Sequence, residues 1–437
     1  MRLIRTTLPN LLLIALAACG DTAKLPITAG IGTGISLPPP NPSLIPTVNV
    51  APAQGWPQGT QPIGAPGTAV TPFATGLQHP RWLYVLPNGD VLVAESNAPP
   101  RLDSGGGIKA WFAKIVMKRA GAGVPSANRI SLLRDVDGDG VAETRTVFIE
   151  GLDSPFGMVL IGNNFYVANA DAVLRFPYVA GQTRIDAAGV KLVDLPGGPI
   201  NHHWTKNVVA SADGNRLYVS VGSNSNVAEN GMAAEAGRAA IWEVDTKTGA
   251  HRVFASGLRN PVGMAWEPVT GKLWTVVNER DGLGDETPPD YLTAVRDGGF
   301  YGWPYCYWGR TVDDRVPQDP AAVASAITPD YALGGHTASL GLCWMPAGTL
   351  PGFDGDGMVV GQHGSWNRST LSGYKVVFVP FADGRPAGAP REILGGFLAP
   401  DESASHGRPV GVAIGPDRHS LLVADDVGDA IWRVAGA

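Results

Sequence analysis

Along this chain, short apolar runs alternate with turn dipeptides, and the alternation returns in one phase. The clearest instance runs from Gly197 to Asn224. A polar cluster of Asn201, His202 and His203 precedes an apolar run that ends at the turn Asp213-Gly214. A strand-like stretch, Arg216 to Val221, follows, and Ser223 and Asn224 close the phrase. Asp-Gly between two such runs predicts a hairpin, because these residues accept the positive φ of a tight turn. The open ends of a hairpin lie side by side, so polar groups placed there are presented together at one rim.

The same phrase occurs at Gly76 to Glu95, Gly151 to Asn169, Gly257 to Arg280, Leu340 to His363 and Gly407 to Asp426. Each copy has a polar or proline-containing start, an apolar strand, a turn, a second strand and a polar end. Spacings of about 50 to 80 residues leave room for four strands per copy, which predicts an all-β, six-bladed β-propeller. A large β-sandwich would not bring the polar phase back six times. In a propeller the inner hairpins line a central channel, and their polar ends emerge at one mouth. His79, Arg81, His203, Arg259, Asn260, Arg280, His363, Arg368 and Arg408 then become candidate neighbours. So many cationic groups around one mouth suit a small polyanionic ligand.

Composition sharpens this picture. With 57 Gly and 37 Pro in 437 residues, the chain favours turns over long helices. A net charge of −6 gives no basic footprint for nucleic acid. Three cysteines are too few for a disulfide scaffold. Cys306 and Cys343 either pair across neighbouring repeats or stay as free thiols.

Arg2 and Arg5 followed by the apolar stretch Leu8 to Leu16 read as an export signal, too short to span a membrane. Leu16-Ala17-Ala18-Cys19 has the form of a lipobox. The expectation is a lipoprotein signal over residues 1–18, acylation of Cys19 and a periplasmic location, with membrane contact only through that anchor. Gly20 slightly favours the outer membrane. Residues 19–68 are rich in Pro and Gly and read as a linker, and 69–437 as the propeller. Asp135, Asp137, Asp139 and Glu143 form either a calcium loop or a charged hairpin tip.

Several phrases together carry a resemblance: His79 to Asp90, Asn201 to Lys206, Gly257 to Met264, Gly298 to Pro304, His363 to Arg368 and Gly407 to Gly411. In this order they resemble the glucose/sorbosone dehydrogenase family, nearest its L-sorbosone dehydrogenase branch. The resemblance implies a six-bladed propeller that uses pyrroloquinoline quinone and calcium. Such a protein oxidises a sugar or sugar-derived aldehyde and passes electrons to a respiratory acceptor. It implies His203 as general base, Arg259 as the charge that stabilises the reduced quinone oxygen, and Asn260 as its hydrogen-bonding neighbour. Arg408 matches an arginine on a cofactor carboxylate. Asp281 and Gly282 fall where the family binds calcium through backbone carbonyls.

The sequence departs from the family at several of these places. Ser223 stands where the soluble glucose enzyme has an aspartate, leaving Asn224 or Glu279 as partners for His203. His406 replaces a second arginine, Arg368 stands in for a lysine, and Arg280 replaces a glutamine. Two other readings share the scaffold. One is a calcium-dependent lactone hydrolase using Glu95, Asn169, Asn224 and Asp425. The other is a non-catalytic binding module.

Overall fold

The computed structural model describes residues 23–42, 47–100, 116 and 118–437. The signal segment and Cys19 lie outside the described residues. Among the described residues, six mainly antiparallel blade sheets follow one another along the chain beside a small two-stranded sheet, and all six hairpins expected from the repeated phrase are present. They pair Pro80–Val85 with Val91–Glu95, Met158–Ile161 with Asn164–Ala168, and Val208–Ala210 with Arg216–Val221. The later three pair Pro261–Glu267 with Lys272–Val277, Ser339–Met345 with Gly357–Gln362, and Pro409–Ile414 with Ser420–Asp425. Each hairpin begins its sheet, and the remaining strands lie outward from it. The fold is a six-bladed β-propeller.

Alternation along each strand sends apolar side chains to both faces of a blade, where they meet the next blade. Every junction between adjacent blades carries its own buried cluster. Trp82 and Phe165 mark the junction of blades one and two, and Tyr166 and Leu217 that of two and three. Ile241 and Met264 lie between three and four, Trp274 and Met358 between four and five, Met345 and Leu421 between five and six. Leu422 and Val91 close the ring between six and one.

A glycine recurring near the start of the inner strand makes the crowded axis possible. A Cβ at Gly157 would stand 2.4 Å from the Val208 nitrogen, and one at Gly341 would stand 2.1 Å from the Val410 carbonyl. At Gly411 the nearest atom would be the Arg81 carbonyl at 2.8 Å. Each of these neighbours belongs to the following blade, so glycine is what permits contact between inner strands.

The ring is closed by a strand that the repeats do not announce. Thr68–Thr75 pairs antiparallel with Ala430–Gly436, so the last blade is built from both ends of the domain. The stretch read as a linker is also not free. Ile31–Gly32 pairs with Tyr331–Gly335 at the edge of blade four, and Ile63–Gly64 with Arg391–Gly395 at the edge of blade five. Trp56 packs on Phe397 and Trp432 and donates to Asp425 Oδ2 at 2.7 Å. Composition misleads here because a Pro- and Gly-rich segment needs no core of its own when it covers exposed sheet edges. Cys306 and Cys343 are free thiols. Among the described residues, no helix is long and apolar enough to cross a membrane.

Candidate functional site

The polar ends of the inner hairpins gather into two networks. The first centres on His203. Its Nδ1 lies 2.9 Å from Ser223 Oγ and 3.1 Å from the Ser223 carbonyl. The third hairpin creates this contact, because its ends carry the two residues. Gly222 makes room: a Cβ there would stand 2.4 Å from His203 Cβ and 2.5 Å from Asn260 Oδ1. Asn260 Oδ1 therefore lies on the same side of Gly222 as His203. Burial holds the imidazole well below its ordinary pKa, and the charge of Arg259 acts in the same direction.

Arg259, 1% exposed, is locked by its neighbours. It donates to the Glu279 carbonyl at 2.6 Å and to Asn226 Oδ1 at 2.8 Å, and pairs with Asp281 Oδ2 at 3.3 Å. The other oxygen of Asp281 accepts from Asn367 Nδ2 at 2.8 Å and lies 3.6 Å from His336 Nδ1. Burial alone would raise the Asp281 carboxyl, but His336 and Arg259 outweigh it and bring the pKa down to about 2. The backbone carbonyl of Asp281 accepts from Arg315 Nη1 at 2.8 Å and from Asn226 Nδ2 at 3.1 Å. Gly282, at φ +88°, faces the same guanidinium. In this arrangement that carbonyl has no lone pair left for an ion.

The second network centres on Asp426, at the end of the sixth hairpin. Arg81 pairs with its carboxylate, His363 Nε2 lies 2.9 Å away, and His79 Nδ1 lies 3.0 Å from its carbonyl. Burial pushes this carboxyl up, but His363, His79 and Arg81 more than offset it and hold the group well below the usual carboxylate range. Arg408 sits beside this network, stacks over Tyr374 at 4.9 Å and donates to its hydroxyl at 2.7 Å. Several buried polar atoms around the two networks have no hydrogen-bond partner: Asn260 Oδ1, Asn367 Oδ1, Arg81 Nε and Arg408 Nε. Orphaned buried groups are costly, and although others occur elsewhere in the protein, these are available to a polar ligand at the mouth.

Two expected cofactor contacts do not join the mouth. Arg280 is fully buried and spent on the carbonyls of Pro304 and Cys306, at 2.9 and 2.8 Å, and on Glu279 and Asp313. Arg368 donates to the carbonyls of Asp285 and Thr370, at 3.1 and 2.7 Å. Sequence alone shows a guanidinium but not which carbonyls it will meet. Conversely, Asn226, His336 and Asn367 were missed. His336 and Asn367 stand just outside the fifth hairpin and Asn226 just past the third, so extending each phrase by a few residues would have found them.

Two of the four residues proposed for a lactone hydrolase are already engaged. Glu95 is held by Arg129 and Ser131, and Asp425 by the indoles of Trp56 and Trp432. Among the described residues, the carboxylates that do gather are Asp135, Asp137, Asp139 and Glu143, at an exposed tip between blade strands.

The TrAA12-like family matches residues 126–321 and 310–437, more than half of the sequence. The chain belongs to the TrAA12-like family. Its curated relatives include a pyrroloquinoline quinone-dependent pyranose dehydrogenase of Coprinopsis cinerea, 25% identical over 294 residues. That match covers 53% of this chain and 39% of the relative, so the TrAA12-like chain spans well under half of that protein. Among solved structures, the holo pyranose dehydrogenase quinone domain from the same fungus aligns with a TM-score of 0.69 at 22% identity. It covers 89% of this chain and 100% of that one. A calcium structure of a Trichoderma reesei AA12 enzyme gives 0.68 at 21% identity, covering 90% and 99%. At these identities the structural likeness establishes the propeller fold alone.

Proposed function

We propose that this chain is a sugar dehydrogenase that binds pyrroloquinoline quinone at the channel mouth. The observation that carries the proposal is the pairing of one oriented imidazole, His203, with a surrounding shell of buried polar groups that lack partners. That the Coprinopsis cinerea relative is a quinone-dependent pyranose dehydrogenase supports it. The residues fit such a group where they offer donors: Arg81 and Arg408 each keep a buried Nε–H without a partner, which suits its carboxylates.

A bound quinone supplies the hydride acceptor. His203 takes the proton of the substrate hydroxyl through Nε2, the nitrogen that Ser223 leaves free. Arg259 would act on developing negative charge through its field and not through a hydrogen bond, because its nitrogens are engaged by Asn226, Asn278, Glu279 and Asp281. The substrate is a sugar hydroxyl or the hydrate of a sugar-derived aldehyde of the sorbosone kind. Calcium would accompany the cofactor, and Asp281 and Gly282 would hold it only if Arg315 and Asn226 gave up the Asp281 carbonyl. The proposal includes export, acylation at Cys19 and a respiratory electron acceptor.

Reconstitution of apo-protein with the quinone and calcium, assayed with a dye acceptor across a panel of aldoses and osones, tests this reading. Saturable, quinone-dependent dye reduction is expected. Absence of both quinone binding and quinone-dependent turnover would rule it out.

A further inference from the structure

We propose that Ser223 holds the imidazole proton of His203 on Nδ1 and so keeps Nε2 as the basic nitrogen at the mouth. The catalytic meaning of this rests on the dehydrogenase reading above; the tautomer itself does not. Ser223 is a positioning residue, and its own hydrogen bonds define what it can do. Its hydroxyl donates to the Ser225 carbonyl at 2.6 Å, so that hydrogen is committed away from the ring. What Oγ turns toward His203, 2.9 Å from Nδ1, is lone-pair density. The Ser223 carbonyl, 3.1 Å from the same nitrogen, can only accept. A ring nitrogen flanked by two acceptors carries the hydrogen, and the opposite nitrogen is left with its lone pair.

Ser223 is itself rigid. It is fully buried, its backbone N–H donates to the Arg259 carbonyl at 2.8 Å, and its carbonyl also accepts from the His203 N–H at 3.3 Å. The base, its orienting group and the neighbouring arginine are therefore one backbone-linked unit.

A serine orients without adding negative charge. The charged and titratable groups that bear on the His203 ring are Arg259, His202 and Lys206, and each disfavours the imidazolium, as burial does. Among the described residues, the groups that bear most on the His203 ring include no anion that would stabilise its protonated form. A carboxylate in place of Ser223 would reverse that balance and raise the ring's proton affinity.

Nitrogen-15 NMR of the full chain, labelled at histidine ring nitrogens, tests the proposal, with His203→Asn used to assign the signal. At neutral pH the proton is expected on Nδ1; a proton on Nε2 overturns the proposal. Ser223→Asp is expected to move the titration midpoint of His203 upward by roughly one pH unit or more. The acid limb of kcat/KM should move with it, and an unmoved midpoint overturns the proposal. Ser223→Ala removes Oγ and leaves the carbonyl. It is expected to keep the tautomer and lower kcat about tenfold with KM little changed, the scale of one hydrogen bond. An unchanged kcat refutes the part assigned to the hydroxyl, and this variant decides if Ser223→Asp does not fold. The spectra need no turnover. A missing quinone-dependent activity would therefore remove the proposed reaction while the tautomer still decided the role of Ser223.

Discussion

Two histidines at the mouth meet opposite surroundings. His203 faces Ser223 and positive charge, whereas His363 faces the Asp426 carboxylate. If His203 is the base, His203→Asn should lower kcat roughly 10²- to 10⁴-fold. Quinone affinity should stay within a few-fold, as a binding titration of the variant would show. Asp426 plays a different part, because it neutralises Arg81 inside the protein. Asp426→Asn leaves that part-buried guanidinium without its carboxylate and should destabilise in denaturant unfolding by less than the about 3–5 kcal/mol of a fully buried pair. The sign with pH follows from its depressed folded value. The stability Asp426 contributes is fully present above the ordinary carboxylate range near 4 and is lost as pH falls through that folded value. Acid titration of the thermal midpoint should show this loss in the native protein and a smaller one in Asp426→Asn.

The hairpins impose their own constraints, through the glycines near the start of the inner strands. Gly341 lies so close to Val410 that a side chain there must push two blades apart. Gly341→Val should destabilise by about 1–3 kcal/mol or more, read from the urea midpoint. The same change at Gly348, where a Cβ meets nothing within 4 Å but the backbone φ is +75°, should act through local strain only. The hairpins were the part of the fold most legible in the sequence. Their turns and apolar runs are local signals, and a pairing such as Pro409–Ile414 with Ser420–Asp425 needs only a short loop. The pairing of Thr68–Thr75 with Ala430–Gly436 was not legible, since nothing local in either strand names a partner at the other end of the domain. The site divides in the same way. His203, Asn260 and Arg408 could be placed because they sit at hairpin ends. Arg280 and Arg368 could not, because a long side chain can turn inward to carbonyls set by another segment.

Taken as a ring, the molecule is held by blade-to-blade packing and by closure of its last blade. Residues 47–75 both cover sheet edges and supply the closing strand, so this segment acts as part of the domain. Trp56→Ala should destabilise the propeller, as measured by chemical denaturation, by less than the about 3–5 kcal/mol of a fully buried aromatic, because Trp56 is partly buried. Deleting residues 1–75 should prevent cooperative folding, whereas deleting 1–22 should leave a cooperative transition. Closure is also what brings Asp426 and Arg81 together across the junction of the last and first blades, so the mouth depends on the whole ring. The most direct test of the account is the absorbance of bound quinone after sugar is added without an electron acceptor. Native protein should convert it to the reduced form in one turnover, and His203→Asn should bind it and leave it oxidised. Equal reduction in both proteins would contradict the account.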